Sequence, residues 1–87
     1  LAALTRALAQ EMAPQVRVNA VAPGVIMWPE NAAWMDEEQR RKIVAHTLLK
    51  REGEPDDIAK IVAFLIQDAP YVTGQIIAVD GGRSINI

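Results

Sequence analysis

Two short apolar runs, Val16 to Ala22 ("VRVNAVA") and Ile76 to Val79 ("IIAV"), constrain this chain more than anything else in it. The first is rich in valine and closes on Pro23-Gly24. The second closes on Asp80 and Gly81-Gly82. The first reads as a strand buried on at least one face, the second as a strand buried on both. The stretches between them carry helical spacing. Strands joined by a helical crossover pair in parallel, with a right-handed connection. Two strands do not make a stable parallel sheet by themselves. The pattern therefore predicts partner strands upstream of Leu1.

The helical stretches carry recognisable start and stop signals. "LAALTRALAQEMAP" has Leu1, Leu4, Leu8 and Met12 on one stripe with alanines between; it should end near Ala13, because Pro14 disfavours a helical residue before it. Asp36 with Gln39 three positions on makes a capping-box start for a second helix, "DEEQRRKIVAHTLLK", with Ile43, Val44 and Thr47 inward. Pro55 suits the first position of a third helix, and Asp56 and Asp57 face the positive end of its dipole. Ile58, Ile61, Val62 and Leu65 recur along it at helical spacing. Burying each is worth up to ~1.5–3 kcal/mol, so this helix needs a sheet or helix to lie on. Residues 23 to 35 read as loop. The tail "RSINI" is apolar enough to pack.

The first helix opens without an N-cap residue or an initiating methionine. The chain is therefore expected to be the C-terminal piece of a longer protein, all 87 residues belonging to one domain. Nine basic against eleven acidic residues leave a net charge of −2. That balance gives no bulk electrostatic case for nucleic acid or an anionic membrane. The cluster Arg40-Arg41-Lys42 sits beside Asp36, Glu37 and Glu38 and reads as a solvated helix face. With no cysteine there is no disulfide framework or thiolate metal site, which suits a reducing, cytoplasmic setting. No apolar stretch is long enough to span a bilayer.

Three stretches together, "AALTRALAQEMAP", "VRVNAVAPG" and "REGEPDDIAKIVAFLIQDAPYVTGQIIAVDGG", resemble the C-terminal third of a short-chain dehydrogenase/reductase in that family's order and spacing. The resemblance implies an α/β fold, the C-terminal part of a doubly wound parallel-sheet Rossmann-type domain that binds a nicotinamide dinucleotide. It also implies that the Gly-rich phosphate turn, the residue selecting NAD or NADP, and the Ser/Tyr/Lys proton-transfer set lie upstream. No catalytic residue is then expected here. Tyr71 belongs to the "YVTGQ" turn and is not taken as a catalyst.

Ligands in such sheets sit beyond the carboxyl ends of the strands. Gly24 has no Cβ to obstruct close approach, and Pro23 fixes the exit direction. By the resemblance, Pro23, Gly24, Val25 and Ile26 would line the nicotinamide of NADP(H). Asn19 is expected to hydrogen-bond neighbouring backbone. Many family members carry a threonine four residues after the glycine; Trp28 stands there instead. "PGVIMWPEN", "HTLLKREGEP" and "VDGGRS" resemble the bacterial pteridine-reductase branch, which implies reduction of a dihydropterin- or dihydrofolate-like ring. A flat bicycle suits aromatic neighbours. Trp28 and Met27 are thus substrate-pocket candidates, while Trp34 reads as a packing anchor. Arg83 is a candidate for contact with substrate or a neighbouring subunit, against the plainer reading of a solvated arginine.

Two other functions stay open: a 3-oxoacyl-carrier-protein-type carbonyl reductase, and a non-catalytic reductase-like binding subunit. The resemblance also implies a homodimer or homotetramer. His46 has no spaced metal-ligand partners and reads as a helix-end residue. Asp80 reads as a turn former.

Overall fold

The computed structural model describes residues 1–24 and 36–85. The described elements run helix α1 (Ala2–Met12), strand β1 (Ala20–Pro23), helix α2 (Glu37–Ala45), helix α3 (Pro55–Gln67), strand β2 (Ile76–Val79) and one 3-10 turn (Arg83–Ile85). β1 and β2 pair in parallel, with Ala20 opposite Ile76 and Pro23 opposite Val79. This is the α/β crossover arrangement that the sequence predicts.

β1 starts four residues later than predicted and runs one further, through Pro23. Val16 to Asn19 belong to no strand: the Val16 N–H donates to the Met12 carbonyl at 2.9 Å, and Val18 and Asn19 bond the turn before β2. The Val18 N–H donates to Thr73 Oγ1 at 3.1 Å, and the Gly74 N–H donates to the Val18 carbonyl at 2.7 Å. Asn19 clamps the same turn: its Nδ2 donates to the Val72 carbonyl at 2.9 Å and its Oδ1 accepts the Gln75 N–H at 3.0 Å. The backbone role expected of Asn19 is thus observed.

α1 ends as Pro14 dictates, with Ala13 extended at φ −71 and ψ 151. Its packed side is lined by small residues. Thr5 and Ala9 are buried, and Ala9 lies beside Gly74, whereas Leu1, Leu4, Leu8 and Met12 are exposed. Small side chains let the helix approach the 72–75 turn closely, and that leaves the leucine stripe outside.

α2 begins at the predicted capping box. The Gln39 N–H donates to Asp36 Oδ1 at 2.7 Å, and the Asp36 N–H donates to Gln39 Oε1 at 3.2 Å. The helix stops at Ala45, five residues short of Lys50, because the next amides find other acceptors. The Leu48 and Leu49 N–H groups both donate to the Gly81 carbonyl, at 2.8 and 3.0 Å. Thr47 is buried there, its hydroxyl donating to the Val44 carbonyl.

α3 starts at Pro55, with the Glu54 N–H donating to Asp57 Oδ2 at 2.7 Å. It packs against β1 and buries Leu65. The strands are half-buried, and Ala78 is exposed, so the expected burial on both faces is not seen. In a two-stranded pair each strand has one bonded neighbour and little covering it. Of the tail, Arg83 to Ile85 are exposed, Ile85 at 73 %, and residues 86–87 lie outside the described ones. Its turn is held by backbone bonds to Asp80 instead of apolar contact.

Candidate functional site

The parallel register brings the carboxyl ends of β1 and β2 side by side, and the Gly24 N–H closes that edge by donating to the Val79 carbonyl at 2.9 Å. Pro23 cannot donate to the ladder, so this bond is made one residue beyond it. Gly24 is pressed against the partner strand. A Cβ there would lie 2.6 Å from Asp80 Cβ and 2.7 Å from Asp80 Cα. The close neighbour of Gly24 among the described residues is thus Asp80.

Asp80 organises the turn after β2. Its Oδ1 accepts the Gly82 N–H at 2.9 Å and its Oδ2 accepts the Ser84 N–H at 3.1 Å. Gly81 and Gly82 take positive φ values of 63 and 85. Only glycine does so without strain. At Gly82 a Cβ would also meet the Leu48 side chain at 2.7 Å. A shallow cleft opens beside the turn, lined by Leu49, Arg51, Gly53, Asp57, Val79 and Asp80.

The carboxylates around this edge are engaged. Hydrogen bonds from the Ser84 side chain, then from the Gly82 amide, hold the Asp80 carboxyl below its ordinary 3.8. The Glu54 amide, then Arg51, do the same for Asp57. Arg40 lowers Glu52 from 4.5. A carboxyl lowered in the folded state adds stability above its unfolded value and loses it as pH falls through the folded one. The stability these three carboxylates contribute is therefore expected to be lost as pH falls through and below their ordinary values of 4.5 and 3.8, and Asp80→Asn should flatten part of that decline. A melting series against pH checks this.

Of the predicted site residues, Pro23 and Gly24 stand at the edge, Pro23 exposed and Gly24 half-buried. Arg83 is exposed in the 3-10 turn, its N–H donating to the Asp80 carbonyl at 3.2 Å. Val25, Ile26, Met27, Trp28 and Trp34 lie outside the described residues. Tyr71 is fully exposed in its turn. Among the described residues no group of His, Asp and Glu could hold a metal ion, and no helix is long and apolar enough to cross a membrane.

Two polar arrangements escaped the sequence reading. The Arg17 guanidinium closes the C-terminal end of α3, donating to the carbonyls of Leu65 and Ala69 at 2.9 Å each and of Val72 and Ile66 at 3.3 Å. Arg40, assigned to a solvated face, instead forms a two-bond fork with Glu52, Nε to Oε1 at 2.8 Å and Nη2 to Oε2 at 3.1 Å. Arg17 had one faint signal: a charged residue inside a valine run is rarely there unpaired.

A sequence family described as enoyl-(acyl carrier protein) reductase matches residues 1–84. The chain is 45 % identical over 85 residues to glucose 1-dehydrogenase of Gluconobacter oxydans, covering 94 % of this chain and 32 % of that protein. It is 48 % identical over 86 residues to tropinone reductase-like 3 of Erythroxylum coca, covering 94 % and 33 %. Among solved structures, a 4-hydroxyisoleucine dehydrogenase complexed with NADH superposes with a TM-score of 0.87 at 31 % identity, covering 99 % of this chain and 37 % of that one. The chain thus spans about a third of the length of the curated relatives it matches.

Proposed function

The chain belongs to the short-chain dehydrogenase/reductase family, and from that premise we propose that the whole protein is a nicotinamide-dependent oxidoreductase of small molecules. The observation that carries this reading is likeness over nearly the full chain, 31 % identical, to a dehydrogenase holding NADH. The sheet edge supports it as well. Two parallel strands end together there, where dinucleotide folds place their ligand.

Pro23, Gly24, Val25 and Ile26 would form the wall against the nicotinamide. Gly24 lets the strand end close onto Asp80, which keeps that wall narrow; Pro23 leaves an exposed ring and no stray donor at its rim. The nicotinamide supplies or accepts the hydride. Glu52, Asp57 and Asp80 are all held in the charged form by their partners, so none is suited to give the accompanying proton near neutral pH. That proton is assigned to the family's Ser/Tyr/Lys set, which this chain does not contain. The proposal includes a cytoplasmic homodimer or homotetramer, for which the exposed leucines of α1 offer apolar surface to cover.

The substrate class proposed is a carbonyl compound or its alcohol, in keeping with the glucose 1-dehydrogenase and tropinone reductase-like names of two relatives. A dihydropterin ring is the second reading, favoured by the "PGVIMWPEN" run with Trp28, Met27 and Arg83 as its contacts; NADP(H) goes with it. A panel on the full-length protein decides: glucose, a 3-oxo ester and a dihydropterin, each with NAD(H) and NADP(H). Turnover of sugar or oxo ester is expected. Turnover of the pterin alone would move the assignment to the second reading. Failure to bind either dinucleotide would overturn the oxidoreductase reading in favour of a non-catalytic subunit.

A further inference from the structure

We propose that Arg40 and Glu52 form a positioning clasp: they hold α2 in place beside the turn that follows β2, and so set how tightly substrate is bound at the sheet edge without touching it. The proposal rests on the oxidoreductase reading for its substrate, but not for its structural half.

No residue of Glu37–Ala45 is buried. Ile43 and Val44 are half-buried, and the polar links of this helix add a fixed direction to that contact. Most ion pairs nearby cannot serve. Arg41 with Glu37 and Lys60 with Asp56 are exposed pairs within single helices. Arg51 with Asp57 ties α3 to residues just ahead of it. The Arg40–Glu52 fork joins α2 to the approach of α3, and its side chains are only 38 % and 21 % exposed. Two parallel N–H···O bonds fix direction as well as distance, unlike one contact from a flexible ammonium.

A second anchor lies at the far end of α2. The Leu48 and Leu49 amides meet the Gly81 carbonyl there, and Leu48 fills the space that a Cβ on Gly82 would need. Two anchors hold a short helix in one orientation; with one, it can pivot. The pivot would be Gly81, two residues past the carboxyl end of β2. At its start, α2 is linked through residues 25–35 to Gly24, at the carboxyl end of β1. Both attachments of α2 therefore lead to the edge where ligands of such sheets sit. Loss of the fork would leave the strands and helices intact while letting α2 swing relative to that edge.

The test uses the full-length protein with Glu52→Gln, Arg40→Met, and the swap Arg40→Glu with Glu52→Arg. Amide hydrogen exchange over residues 37–45 is expected to quicken in both single variants, with residues 2–12 and 55–67 unchanged. For the substrate of the panel that turns over fastest, KM is expected to rise about tenfold, with kcat and dinucleotide Kd unaltered. The swap should recover part of both effects. Unchanged exchange over 37–45 would overturn the clasp, as would a fall in kcat at constant KM. If no panel substrate turns over, the functional reading fails while exchange still judges the clasp.

Discussion

Gly24→Ala is expected to lower the stability of the protein by about 1–3 kcal/mol through overpacking, and to weaken dinucleotide binding at the same time. The new methyl would stand inside contact distance of both Asp80 Cα and Asp80 Cβ. Neither atom is the free end of a flexible chain. Asp80 is also tied from both sides, through the Val79 carbonyl to Gly24 and through its carboxylate to Gly82 and Ser84. Relief requires the two strand ends to part, which breaks the Gly24 bond and opens the edge. Asp80→Gly in the same background removes the Cβ contact but also the carboxylate bonds to Gly82 and Ser84, so it should restore at most part of the loss. Thermal melting with and without NADH or NADPH measures both effects. A Gly24→Ala protein that melts and binds like the parent would show that the strand ends are not packed this closely.

Arg17→Ala should cost about 1.5–3 kcal/mol, the range for hydrogen bonds to a charged group. The last carbonyls of a helix have no partner within it. Here one guanidinium serves Leu65 and Ile66 together with Ala69 and Val72 beyond the helix. The positive charge also opposes the negative end of the α3 dipole. Arg17→Lys is expected to recover less than half of the loss, because a single ammonium cannot reach carbonyls spread over this span. Arg17→Met keeps the apolar stem and separates packing from hydrogen bonding. Chemical unfolding of the three variants would rank them Lys, Met, Ala from most to least stable; equal midpoints for all three and the parent would refute the cap.

These two residues also mark where sequence reasoning stops. Asp36 and Pro55 act through partners within a few positions, so the starts of α2 and α3 are legible and found where expected; the Ile76–Val79 run is legible from its own apolar composition, although its partner strand lies 56 positions away. β1 was legible as an apolar run, but not its true start. Whether Val18 and Asn19 pair with a strand or with a turn depends on residues 72–75, which local patterning cannot see. Arg17 and its acceptors lie 48 to 55 residues apart in the chain, and no periodicity links them. Gly24 was recognised as a place of close approach, yet the nearer body is Asp80, brought there by the parallel register. Arg40 had the composition of a solvated face; its fork depends on the chain turning back after α2. The leucine stripe of α1 is legible as apolar, but which side of the helix packs depends on the closeness of the 72–75 turn, which favours Thr5 and Ala9.

The parallel pairing of β1 with β2 has a consequence for synthesis on the ribosome. Asn19 and Gln75 are 56 positions apart, so the first strand must emerge and wait while the crossover is translated. At about 5–20 residues per second, that delay is roughly three to eleven seconds. During it the edge of β1 is open to any extended neighbour, including another nascent copy. Dependence on chaperones should therefore be greatest in that window and end as Ile76 to Val79 leave the exit tunnel.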